Sequence, residues 1–115
     1  MSCYWDTSAL LALLFGEDRV PAVGRLASSG KGFPGFTSFF TLIEMEAAYA
    51  RRLAQGSLDA GELSKLRLQA QRLEAALGLV WPEDAILEEA RRCALGFGLR
   101  AGDALQLASA ISAAT

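Results

Sequence analysis

Tyr4-Trp5-Asp6-Thr7-Ser8-Ala9-Leu10-Leu11-Ala12-Leu13-Leu14 sets a short apolar run, one acid, two hydroxyl residues and a longer apolar run end to end. The first run reads as a buried strand over residues 3–6, and Thr7 or Ser8 is placed to cap a helix reaching to about Phe15. An acid at the carboxyl end of a strand, directly before a helix, stands where open α/β sheets gather ligands and catalytic groups. Asp6 has a structural use there as well, because a carboxylate before a helix caps its amides and complements its dipole. Yet Thr7 and Ser8 can cap too, and a charge on an apolar strand end loses hydration with no counter-ion beside it. We therefore read Asp6 as functional.

The same strand-then-helix order recurs along the chain. Gly16-Glu17-Asp18 breaks the first helix, Pro21 suits the first turn of a second, and Ser28-Ser29-Gly30-Lys31-Gly32 ends it. A second strand is expected over residues 33–38, weakened by Pro34 and Gly35. From about Phe40 to Gln55, Leu42, Ile43, Met45, Ala47, Ala50 and Leu53 recur at helical spacing, with Gly56 as the stop. Ser57 is placed to cap the next helix, whose stripe is Leu63, Leu66, Ala70, Leu73 and Leu77. Leu79-Val80-Trp81 forms a third strand, with Trp81, like Trp5, expected in the core. Pro82 opens a helix carrying Ile86, Leu87, Ala90 and Ala94, and a last helix from near Gly102 buries Leu105, Leu107, Ala108 and Ile111. The order β-α-α-β-α-α-β-α-α predicts an α/β domain with a short parallel sheet flanked by helices. Right-handed crossovers would point the carboxyl ends of all strands the same way.

Composition narrows the functions open to such a fold. The chain has 115 residues, room for one domain with a core and too few for two. A formal charge of -2 excludes grip on nucleic acid by bulk electrostatics, so any such contact is local. Arginines do pair locally, as Arg51-Arg52 and Arg91-Arg92. With no histidine, and with Cys3 and Cys93 at no metal-ligand spacing, a structural zinc site is excluded. Two scattered thiols read as small hydrophobes in a reducing cytoplasm. No apolar run reaches the ~20 residues of a membrane span, and the amino terminus lacks a signal-peptide layout. The expected location is cytoplasmic.

Two further acids stand at comparable junctions. Thr41-Leu42-Ile43-Glu44 spells a capping box, so Glu44 has a structural use equal to any functional one. Asp103 falls in the first turn of the last helix, where an acid serves the dipole, although Arg100-Ala101-Gly102 before it lets backbone approach closely. Glu46, Asp59, Glu62, Glu74, Glu88 and Glu89 read as solvated helix faces. Taken together, Asp6, Glu44 and Asp103 suggest a site built from oxygens. Crowded carboxylates need raised pKa values or a bound cation, and a hard ion such as Mg²⁺ or Mn²⁺ prefers such donors.

Three segments resemble the PIN-domain ribonucleases, close to the VapC toxins of bacterial toxin–antitoxin pairs. They are Tyr4 to Leu11, then Thr37-Ser38-Phe39-Phe40-Thr41-Leu42-Ile43-Glu44, then Gly98-Leu99-Arg100-Ala101-Gly102-Asp103-Ala104-Leu105-Gln106-Leu107-Ala108-Ser109-Ala110. The resemblance implies a three-layer PIN-like fold and a metal-dependent endoribonuclease. Asp6, Glu44 and Asp103 would be its catalytic and Mg²⁺- or Mn²⁺-binding acids, with Thr7 or Ser8 holding a carboxylate or a water. It also implies a cognate antitoxin, an RNA substrate and a homodimer as partners. Arg51, Arg52 or Arg100 would hold RNA. The family continues past the Asp103 helix with a strand carrying a fourth acid, a helix and a last strand, so the C-terminal strand–helix–strand is expected to be absent from residues 1–115. Gly102 stands where the family more often has an apolar residue.

Two other classes compete. One is a catalytically inactive PIN-like module that binds a protein partner, the helices at 40–55 and 59–77 offering a groove for an apolar helix. The other, a phospho-acceptor signalling domain, needs an aspartate after the third strand, where this chain has Pro82. Mn²⁺ binding that is lost in Asp103→Asn separates nuclease from module.

Overall fold

The computed structural model describes residues 3–16 and 35–114. Its elements are β1 (Cys3–Tyr4), α1 (Thr7–Phe15), β2 (Gly35–Ser38), α2 (Phe39–Ala54), α3 (Ala60–Ala76), β3 (Gly78–Val80), α4 (Asp84–Phe97) and α5 (Ala101–Ala114). The helix expected after Pro21, and the start of the second strand at Phe33 and Pro34, lie outside the described residues. The strands form one parallel sheet in the order β1-β2-β3. Cys3 pairs with Gly35, and Phe36, Thr37 and Ser38 pair with Gly78, Leu79 and Val80. The parallel sheet with flanking helices is as the alternation required.

Two hydrophobic clusters hold these elements. Trp5, Leu10, Met45, Tyr49, Leu58, Leu66, Ala70 and Leu77 pack α1, α2 and α3 together. Ile86, Ala90, Cys93, Ala104 and Ala108 join α4 to α5, with Val80 of β3 packed alongside. Ala90, Ala104 and Ala108 lack bulk, so the α4 and α5 backbones approach closely.

Several sequence expectations are corrected by the packing. On α2 the buried residues are Thr41, Met45, Ala48 and Tyr49, while Ile43 and Leu53 are exposed. On α5 the buried stripe runs through Ala104 and Ala108 at a spacing of four, and Ser112 and Ala113 line the hollow shared with Ile86. Ile111 lies off that line and faces solvent. Leu87 of α4 is also exposed. Trp81 is 54% exposed rather than buried, because β3 ends at Val80; its ring stacks on Phe39 with centroids 4.7 Å apart. Cys93 is buried, and Cys3 only partly.

Helix starts differ in a consistent way. Asp6, not Thr7 or Ser8, caps α1, its Oδ1 accepting from Ala9 N at 2.9 Å. Ser38 caps α2, and Asp59 with Glu62 forms a reciprocal capping box on α3 where Ser57 was expected. Glu83 precedes α4, which starts two residues after Pro82. The residue that caps is the last one held in extended conformation by the preceding strand or turn.

Close backbone approach fixes the β1–β2 contact. A Cβ at Gly35 would lie 2.7 Å from the Cys3 carbonyl oxygen and 2.7 Å from the Trp5 ring. Gly35→Ala is expected to cost about 1–3 kcal/mol as the strands are forced apart, read as a lower urea midpoint. At Gly96, an exposed position of α4, a Cβ meets nothing within 4 Å. There the same substitution is expected to stabilise by about 0.5–1 kcal/mol, through reduced entropy of the unfolded chain.

Candidate active site

Each expected acid lies near the amino-terminal end of a helix. Asp6 ends the segment leaving β1 and is exposed, with one carboxylate oxygen committed to the Ala9 amide. Asp103 is exposed in the first turn of α5. Glu44 is not at a junction: it lies in the second turn of α2, half-buried. The capping-box reading of Thr41 and Glu44 is wrong. Ser38 takes the capping role, which places Thr41 inside the helix and turns the Glu44 side chain away from the helix start.

Glu44 instead joins three helices. Its Oε1 accepts from the Thr7 hydroxyl at 2.5 Å and from the Gln106 amide nitrogen at 2.8 Å. Thr7 follows Asp6 directly, and Gln106 lies three residues after Asp103 on the same side of α5. Gln106 also reaches the Thr7 hydroxyl at 3.1 Å and the Thr41 hydroxyl at 2.9 Å, while its amide oxygen accepts from the Tyr4 hydroxyl. Burial pushes the Tyr4 phenol above its ordinary pKa, and the nearby hydroxyls of Ser109, Thr41 and Ser38 only partly offset this. A Cβ on Gly102 would lie 3.7 Å from Glu44 Oε2 and 3.5 Å from the Phe40 ring, so the start of α5 sits against the second carboxylate oxygen. Both distances are ordinary contacts, so the space would admit a side chain at Gly102.

The oxygen-only donors suit a hard divalent cation by type. Among the described residues, however, no three His, Cys, Asp or Glu side chains converge tightly enough to hold an ion as they stand. Asp6 is turned to its own helix and Glu44 Oε1 to Thr7 and Gln106.

The arginines separate into two groups. Arg100 is exposed immediately before α5, with its carbonyl accepting from Ala104 N at 2.9 Å. Arg51 and Arg52 occupy the last turn of α2, about 10 Å along the helix from Glu44 at its rise per residue. The Arg52 guanidinium lies over the Phe15 ring, 3.7 Å from its centroid. Elsewhere Arg67 makes a two-pronged pair with Glu46, both contacts 2.7 Å, and Arg91 and Arg92 pair with Glu88 and Glu89.

The profile of the PIN domain family matches residues 3–115. The chain belongs to that family. PIN domains are generally nucleases that use divalent metals, which gives the acids around Glu44 a chemical context. A solved structure described as a toxin-antitoxin complex from Klebsiella pneumoniae is similar to this PIN domain with a TM-score of 0.68, at 17% identity, over 97% of this chain and 79% of that one. At that identity the likeness is one of fold. No curated protein matches the chain. Among the described residues, no helix of this PIN domain is long and apolar enough to cross a membrane.

Sequence reasoning missed Tyr4, Thr41 and Gln106 as members of the site. The signal was present for Gln106, a polar residue between Leu105 and Leu107 in a helix read as buried. A polar group inside a buried stripe requires a partner, and four hydroxyl or carboxylate groups supply it here.

Proposed function

We propose that this PIN domain is a metal-dependent endoribonuclease and the toxin of a toxin–antitoxin pair. The observation that carries this reading is the Thr7–Glu44–Gln106 node, which ties together the three helices bearing Asp6, Glu44 and Asp103. Those three acids would hold Mg²⁺ or Mn²⁺, which when bound supplies Lewis acidity and a water of lowered pKa for phosphodiester hydrolysis. Thr7 and Gln106 hold one oxygen of Glu44 and leave the other toward the start of α5. Arg100, beside Asp103, is the best placed cation for an RNA phosphate; Arg51 and Arg52 serve a more distant stretch of backbone. We read residues 1–115 as one domain, working in the cytoplasm. A cognate antitoxin and a second copy of the chain are its partners, the first supported by the toxin-antitoxin neighbour.

The test is incubation of purified protein with labelled RNA and with DNA of the same sequence. Cleavage of RNA with Mg²⁺ or Mn²⁺ that ceases with a chelator is the expected result. RNA left intact under every metal condition overturns the reading. It would favour the inactive binding module, for which the open arrangement of the acids is the supporting observation.

A further inference from the structure

We propose that Gln106 is the positioning residue of this site: held at its oxygen by the Tyr4 hydroxyl, its amide aims the Glu44 carboxylate toward the Asp103 end of α5. This rests on the nuclease reading and assigns a role that Glu44 cannot fill alone.

The geometry makes the amide directional. Its oxygen lies 2.5 Å from the Tyr4 hydroxyl, and its nitrogen 2.8 Å from Glu44 Oε1, 3.1 Å from Thr7 Oγ1 and 2.9 Å from Thr41 Oγ1. An amide oxygen only accepts, and the Tyr4 hydroxyl donates to it. Turned end for end, the amide would set its oxygen against Glu44 Oε1, two acceptors with no proton between them. Glu44 therefore disfavours the flip, the Tyr4 hydroxyl donates to the oxygen so placed, and the two N–H bonds are left for Glu44 and the threonine hydroxyls. With Oε1 occupied by Gln106 and Thr7, Oε2 is the oxygen that faces Gly102 and the first turn of α5. The chain of hydrogen bonds joins the end of β1, through an amide on α5, to α2. Each of those elements also carries or adjoins one of the three acids.

Partners that orient a metal-binding carboxylate without touching the ion contribute about 10–100-fold to its affinity. Calorimetric titration of the full chain with Mn²⁺ is the first readout. Gln106→Leu is expected to raise the Mn²⁺ dissociation constant by about 10–100-fold. Tyr4→Phe, which keeps the ring and removes the proton donor, is expected to shift it in the same direction by less. The second readout needs no metal: the Gln106 side-chain amide protons should exchange slowly in the wild type and faster in Tyr4→Phe. If Gln106→Leu does not fold, Tyr4→Phe decides by both readouts. Wild-type Mn²⁺ affinity retained in both variants overturns the positioning role while leaving the nuclease reading intact. So does unprotected amide exchange at Gln106 in the wild type. A wild-type protein that binds no Mn²⁺ overturns the nuclease reading and this inference together.

Discussion

Replacing Asp6 with asparagine is expected to lower metal-dependent RNA cleavage at least about a hundredfold, with Asp103→Asn matching it. Each tenfold corresponds to ~1.4 kcal/mol of lost transition-state stabilisation, and a carboxylate that holds a divalent ion supplies several kcal/mol through it. Both side chains are exposed, so neither change disturbs the core. Asn at position 6 also keeps a side-chain oxygen able to accept from Ala9 N, because asparagine caps helices as well as aspartate does. The prediction therefore separates chemistry from folding, and single-turnover cleavage rates beside a melting curve will check it. A variant that cleaves at the wild-type rate would assign Asp6 to the α1 cap alone.

The largest expected effect on stability lies at Leu10. This side chain is 1% exposed at the centre of the cluster that joins α1, α2 and α3. Leu10→Ala removes that packing and leaves a cavity the surrounding helices fill only partly, costing about 2–5 kcal/mol. Domains of this size have total stabilities of about 5–15 kcal/mol, so a large share of the folded margin disappears. Urea unfolding followed by circular dichroism should show a sharply lower midpoint with an unchanged slope. Because α1 carries Asp6 at its start and Thr7 against Glu44, the same variant is expected to lose Mn²⁺ affinity as temperature rises, before wild type does.

How far the sequence announced this structure depends on the kind of signal. The β1–Asp6–α1 junction, the three parallel strands and the α3 stripe were legible because alternation and apolar period are local properties. Helix caps were legible only as to neighbourhood. Several hydroxyls and acids stand near each start, and the strand register decides which one is extended at the boundary: Ser38 rather than Thr41, and Asp59 rather than Ser57. The node around Gln106 was hidden for another reason. Tyr4 and Gln106 are 102 positions apart, and nothing local marks two residues as partners across that separation. Trp81 and Ile111 were misjudged because apolar character fixes no direction. A three-residue strand and a spacing-four stripe left both facing out. The Gly102 departure proved mild, since the Phe40 ring and Glu44 leave ordinary room there.

Paramagnetic broadening by sub-stoichiometric Mn²⁺ in amide spectra of the full-length protein tests the central claim most directly. The account predicts selective loss of signals from Asp6 and Thr7, from the second turn of α2 around Glu44, and from the first turn of α5 around Asp103. Asp6→Asn should abolish all three together. Broadening confined to other surfaces, or spread evenly along the chain, would contradict it.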